Sequence, residues 1–482
     1  MQKTKTVVNP YLPLWEYVPD AEPHVFEGRL YVFGSHDKKD GTTFCEEDYV
    51  GWSAPIEDLS DWRYEGVIYR KTQDPLNRNG EHALYAPDVA QGPDGRYYLY
   101  YGLDFTSIIS VAVSDSPVGP YEFHGHVSYA DGSYPQGSRM FDPAILCEES
   151  GNYLYYGFCP TWRFPGMETT PFPGAMMVEL ENDMHTIKTE PICVADGAES
   201  VRNTAFKEHP FFEASSIRNF NGIYYFVYSS IQSHELCYAT SDSPKGPFEY
   251  RGVIISNGDV GYRGNTVPVN YMGNNHGGIE RIKDQYYIFY HRHTHGTQFS
   301  RQGCAEKISI SEDGWIPQVE ITSCGLNDGP LPAGIPYSSC ILCHLTGPVQ
   351  KEVGMVGEEG HSNELPENAP YITEEAGEQR ESHEYHYVKN LCEGAVWGCK
   401  YMDFDTVISS QLTLTLRGAA GSIDICISSP ENTVAVLEMA EADAWTKHTV
   451  KIPKTSGAQA LYLVFHNREK DGAIDFAEFF LE

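Results

Sequence analysis

One kind of segment recurs five times along this chain, a turn followed by a tyrosine-rich strand, and that recurrence limits the fold more than any other feature. The copies are GRLYVFGSH from Gly28, GRYYLYYG from Gly95, GNYLYYGF from Gly151, GIYYFVYSS from Gly222 and DQYYIFYHRH from Asp284. Their spacings of 67, 56, 71 and 62 residues suit one four-stranded antiparallel sheet with its turns. A longer echo joins SDSPVGPYEFHGHV from Ser114 to SDSPKGPFEYRGVI from Ser241, with a looser version in WSAPIEDLSDWRYEGVIY from Trp52. Five such sheets set radially predict an all-β chain whose residues 1–320 form a five-bladed β-propeller. One large β-sandwich is the alternative packing of the same strands.

Residues 321–369 turn to Gly, Pro and Ser-rich pieces with the acidic stretch EEGHSNELPENAP, and read as a connector. Alternation returns in QLTLTLRG, SIDICISS and TVAVLEMA, so residues 370–482 are expected to form a second all-β domain, a jelly-roll β-sandwich. The 12 cysteines are scattered, which predicts reduced thiols, and the single Cys340/Cys343 pair lacks the partners of a zinc site.

Net charge narrows the partners. With 34 basic and 67 acidic side chains the chain carries −33, which repels a phosphate backbone and anionic membranes but is indifferent to a neutral sugar. The opening segment MQKTKTVVNPYLPLWEYVPD lacks the apolar core of a secretion signal, and no apolar run is long enough to span a membrane. The expectation is a soluble cytoplasmic protein with no nucleic-acid or membrane partner.

A radial arrangement brings residues near the inner strands of different sheets together on one axis. Three carboxylates share a placement about nine to twelve residues ahead of a tyrosine strand: Glu22, Asp142 and Glu213. Flanked by apolar neighbours such as Phe141 and Ile145, or Phe212 and Ile217, they are expected to face inward. Two carboxyls facing one another across a sugar supply the acid and base of glycoside hydrolysis.

Five segments in order, NPYLP with AEPHVF, YAPDV, FDPAIL, FEASSIRNFNGIYYFVYSS and GNNHGGIERIKDQYYIFYH, resemble glycoside hydrolase family 43 over about residues 8 to 315. The resemblance implies an inverting enzyme acting on xylose- and arabinose-containing glycans of plant hemicellulose. Glu22 then matches the general base, standing where the family has Asp, with Asp20 as the alternative. Asp142 matches the aspartate that orients and tunes the acid, and Glu213 the general acid, in preference to Glu208 of KEHPFF. His276 matches an axial histidine that helps hold Ca2+ or its waters, and it is both a metal and a substrate-binding candidate. Arg301 matches an arginine that binds sugar hydroxyls and steadies the base. Tyr85 stands where a pocket wall is expected, Asp88 reads as a structural hydrogen-bonder, and His36 and Asp37 are candidate pocket residues.

The tail AWTKHTVKIPKTSGAQALYLVFHNREKDGAIDFAEFFLE is similar to a carbohydrate-binding module of family 6, with Trp397 and Tyr401 as either a stacking platform or core aromatics. The predicted function is exo-release of a terminal pentose, as a β-D-xylosidase, an α-L-arabinofuranosidase or both, from neutral oligosaccharides, with no organic cofactor. The alternatives are an exo-galactanase or arabinanase specificity, set by loops such as 159–175, and a non-catalytic sugar-binding propeller. Oligomeric state is open, with a homodimer among the alternatives.

Overall fold

The computed structural model describes residues 7–163, 171–200, 204–348, 365, 368–375, 386–406, 411–469 and 471–482. Much of the expected pocket loop 159–175 and of the acidic stretch 358–370 lies outside them. The described secondary structure is strand with a few 3-10 turns, and no described helix is long and apolar enough to cross a membrane.

Four sheets of four antiparallel strands follow in sequence, starting at Glu22–Phe26, Leu84–Gln91, Ala144–Glu148 and Phe211–Phe220, and a three-stranded sheet starts at Ile279–Ile282. Each is a simple meander, and the first strands touch one another in cyclic order, the fifth returning to the first. The hairpin turns use paired left-handed residues where the sequence offers them. Glu27 and Gly28 have φ of 50° and 76°, Asn221 and Gly222 of 57° and 87°, the geometry a tight two-residue turn requires.

The tyrosine strands are aromatic at consecutive positions because both faces of each sheet are covered. Tyr97, Leu99 and Tyr101 pack in a cluster shared with the first sheet, whereas Tyr98 and Tyr100 pack in one shared with the third. Similar clusters fill the gaps between third and fourth, fourth and fifth, and fifth and first sheets. Lacking a fourth strand, the fifth sheet is edged by the chain's start: Tyr11 N–H donates to Gly303 O at 3.2 Å, and Asn9 Nδ2 to Ala305 O at 3.0 Å.

Beyond these sheets, two six-stranded sheets share one buried core that includes Trp397, Phe476 and Phe479. Residues read from composition as connector take part. Leu331–Pro332 and His344–Thr346 pair with Val396–Asp403, and Pro336–Ser338 pairs with Ile474–Leu481. Trp397 is fully buried, with Nε1 donating to Ser339 O at 2.7 Å, so it is a core residue and no stacking platform. All 12 cysteines are free thiols.

The two halves are joined by polar contacts. Lys400 Nζ lies 3.1 Å from Asp259 Oδ2 and 2.9 Å from Glu320 Oε1, Tyr401 donates to Glu320 at 2.6 Å, and Arg292 donates to Leu342 O at 2.9 Å.

Candidate active site

The inner strands deliver their leading residues to one end of the ring. Asp20 and Asp142 just precede inner strands and hold left-handed backbone, φ 56° and 46°, which costs energy in a non-glycine residue and aims each side chain out of its strand's alternation. Glu213 lies inside Phe211–Phe220 where the pairing register shifts on both sides of it, a bulge that re-aims its side chain. Asp142 Oδ2 accepts from Ala214 N–H at 3.0 Å, fastening the third sheet's acid to the fourth, and His276 Nδ1 lies 3.7 Å from the same oxygen.

Arg301, fully buried, grips two acids at once. Its Nε and Nη2 donate to the Asp37 carboxylate at 2.8 and 3.0 Å, and Nη1 donates to Asp20 Oδ1 at 2.9 Å. Its guanidinium also lies 4.7 Å from the Phe44 ring centre.

The buried acids are pushed in opposite directions. Burial raises Glu213 to about 8, with Asp20's charge adding to the effect and Arg301 and Arg139 opposing it. Asp142 is raised well above the usual carboxylate range by burial, then by Glu213 and Asp20. Burial acts the same way on Asp20, but Arg301, His291 and His276 together outweigh it and hold this carboxyl well below the usual range. Asp20 is thus held as the carboxylate while Asp142 and Glu213 are both pushed towards the acid form, so the group offers both a base and an acid, the division of labour that acid–base catalysis needs.

Glu22, expected as the base, is placed elsewhere. Its Oε2 accepts from Ser216 Oγ at 3.1 Å and Arg218 Nη2 at 3.0 Å, in a cluster with His24 and Asp88. Gly278 makes room for it, since a Cβ there would fall 2.7 Å from Oε2. Burial raises Glu22 to about 8, against Arg218 and with Asp88. The acid that joins Asp142, Glu213 and Arg301 is Asp20, two residues earlier. The motif match to Ala-Asp-Pro points to Glu22, whereas the geometry brings the nearby Asp20, with its left-handed backbone, to the Arg301 side of the group.

Other candidates also take distinct places. Asp37 is consumed by Arg301 and by Cys45 N–H at 3.0 Å, and the ring nitrogens of His36 meet Asp48 O at 2.8 Å and Glu16 Oε1 at 2.9 Å. Both side chains brace the scaffold. Asp88 bonds His24 Nε2 at 2.6 Å and Ile145 N–H at 2.7 Å, tying three sheets together. Glu208 is exposed. Tyr85 is half-buried in an aromatic group with Phe141, Phe158, Phe212 and Trp162. Sequence reasoning passed over Arg139, whose guanidinium lies 5.2 and 5.0 Å from the Phe141 and Phe158 ring centres. Its signal was its position three residues before Asp142.

Ca2+ calls for six to eight oxygen donors, some of them water. The Glu22, His24 and Asp88 ligand atoms converge, but Arg218 already supplies the positive charge there. His276 suits a partly hydrated ion better, since burial lowers its ring to about 4 and leaves it neutral with a lone pair to offer.

A family model described as glycosyl hydrolases family 43 matches residues 47–316. A xylosidase/arabinosidase of Thermoclostridium stercorarium is 47% identical over 471 residues, 95% of each chain. The structure of a family 43 beta-xylosidase/alpha-arabinofuranosidase from a compost metagenome, in complex with xylotriose and in a calcium-free form, matches with TM-score 0.51 at 26% identity, covering 65% of this chain and 98% of its own. A family 43 arabinoxylan arabinofuranohydrolase from Bacillus subtilis shares the fold over 99% of this chain and 98% of its own, with TM-score 0.50 at 20% identity. With a family model over more than half its length and close identity along nearly all of it, this chain is a glycoside hydrolase that belongs to glycosyl hydrolase family 43.

Proposed function

We propose that the enzyme is an inverting exo-glycosidase that releases terminal β-D-xylosyl or α-L-arabinofuranosyl units from neutral oligosaccharides. The observation that carries this reading is the opposed protonation of two neighbouring acids, Asp20 ionised against Arg301 and Glu213 protonated by burial. We read the fold as a five-bladed β-propeller followed by a jelly-roll domain, the architecture that would gather these acids from different blades.

In a single displacement, Glu213 gives its proton to the glycosidic oxygen as that bond breaks. Asp20 takes a proton from a water attacking the anomeric carbon on the opposite face, and the configuration inverts. Arg301 keeps Asp20 ionised between turnovers. Asp142, held by Ala214 N–H, orients Glu213, which burial keeps protonated. Tyr85 and its aromatic neighbours offer apolar surface to a sugar face. A Ca2+ ion held by His276 would add positive charge near the sugar when bound.

The pentose assignment draws on the relative described as a xylosidase/arabinosidase. It is tested with p-nitrophenyl β-D-xylopyranoside, α-L-arabinofuranoside and β-D-galactopyranoside, following the first-formed anomer by proton NMR. Pentoside turnover with an α-xylose or β-arabinose first product is expected. Retention of configuration, or a galactoside as the best substrate, would overturn the reading.

A further inference from the structure

We propose that the C-terminal domain is a positioning element of the active site, and that its strand Tyr371–Glu374 holds in register the Arg301–Asp37 pair that secures Asp20. The inference rests on the reading of Arg301 as the group that keeps the base ionised.

The strand belongs to the C-terminal sheets, where it pairs with His386–Leu391. It also grips both structures that carry the Arg301–Asp37 pair. On one side, Ile372 N–H donates to Thr294 O at 2.8 Å, in the turn linking Gln285–His293 to Arg301–Ile308. Thr294 Oγ1 in turn donates to Gln302 Oε1 at 2.8 Å, one residue from Arg301. Leu365 N–H donates to Gly296 O at 3.1 Å in the same turn, and a Cβ at Gly296 would meet the Tyr371 ring at 3.9 Å.

On the other side, Glu374 pairs with Lys39, two residues beyond Asp37. His386 Nε2 stands 3.1 Å from Glu374 Oε2. The two grips meet in the middle. Tyr17 Oη lies 2.9 Å from His295 Nε2, and Tyr17 O accepts from Asp37 N–H at 3.0 Å. Asp40 N–H donates to Ser300 Oγ at 3.0 Å, next to Arg301. A chain segment distant in sequence thus fixes both the turn before Arg301 and the loop that carries Asp37. Arg301 is useful only if its fork meets Asp37 and Asp20 together, and small displacements of catalytic groups are costly in rate.

A kinetic cycle on the full chain tests this. Glu374→Gln and Lys39→Met should each lower kcat about three- to tenfold with KM little changed, while the melting temperature moves no more than for Arg468→Gln, which breaks an exposed pair in the C-terminal sheets. The charge exchange Lys39→Glu with Glu374→Lys should restore most of the loss. In an Arg301→Lys background, Glu374→Gln should have no further effect on kcat. Additive losses, or losses that follow the melting temperature alone, would overturn the inference. If Arg301→Lys alone leaves kcat unchanged, the failure lies with the reading of Arg301 instead.

Discussion

At the residue scale, the proposed mechanism requires two buried acids in different protonation states, and that has a thermodynamic consequence. Glu213 has a folded-state value near 8 against an ordinary value of 4.5. A carboxyl raised in this way contributes no penalty below its unfolded value, and stability is lost as pH rises from there towards the folded value. Glu213→Gln, which cannot ionise, should therefore melt close to the native protein at pH 4.5 and several degrees above it at pH 8 in a thermal scan. Equal differences at both pH values would remove the buried-acid account. Activity should show the complementary sign, with kcat/KM falling as pH passes about 8 and Glu213 loses its proton. Asp142 and Glu213 were legible because each precedes a tyrosine strand by a similar interval. Asp20 was harder to choose, since two acids two residues apart on an extended segment look equivalent until the backbone turn between them is known.

At the element scale, alternation and repetition announced the tyrosine strands, but not which strands would be missing. The fifth sheet has three strands, and its outer edge is covered by Asn9 and Tyr11, whose segment carries no strand signal. Strands of two or three residues, such as Leu331–Pro332, are too short for any period to show, so composition made them a connector. Close packing also occurs where Gly277 forms a bridge to Ala21 just after Asp20. A Cβ at 277 would fall 1.9 Å from Phe289 O, a backbone atom that cannot step aside. Gly277→Ala should cost about 3 kcal/mol in urea unfolding. A loss under about 0.5 kcal/mol would show that the segment at Gly277 packs less tightly against Gln285–His293 than described.

At the scale of the whole molecule, the two halves form a continuous structure through buried charge. Lys400 is almost wholly buried between Asp259 and Glu320, so Lys400→Met would strand a buried carboxylate. The expected cost is about 3 kcal/mol, seen in calorimetry as a lower transition temperature. An unchanged transition would mean that the halves are coupled elsewhere. This junction was invisible in the sequence, because nothing local to Lys400 distinguishes it from the other lysines. The central claim is that Asp20, and not Glu22, is the base, and kcat/KM for Asp20→Asn and Glu22→Gln on the preferred pentoside tests it most directly. The account predicts a fall of about a thousandfold for Asp20→Asn and less than tenfold for Glu22→Gln, with both variants folded. A collapse in Glu22→Gln alongside an active Asp20→Asn would contradict it.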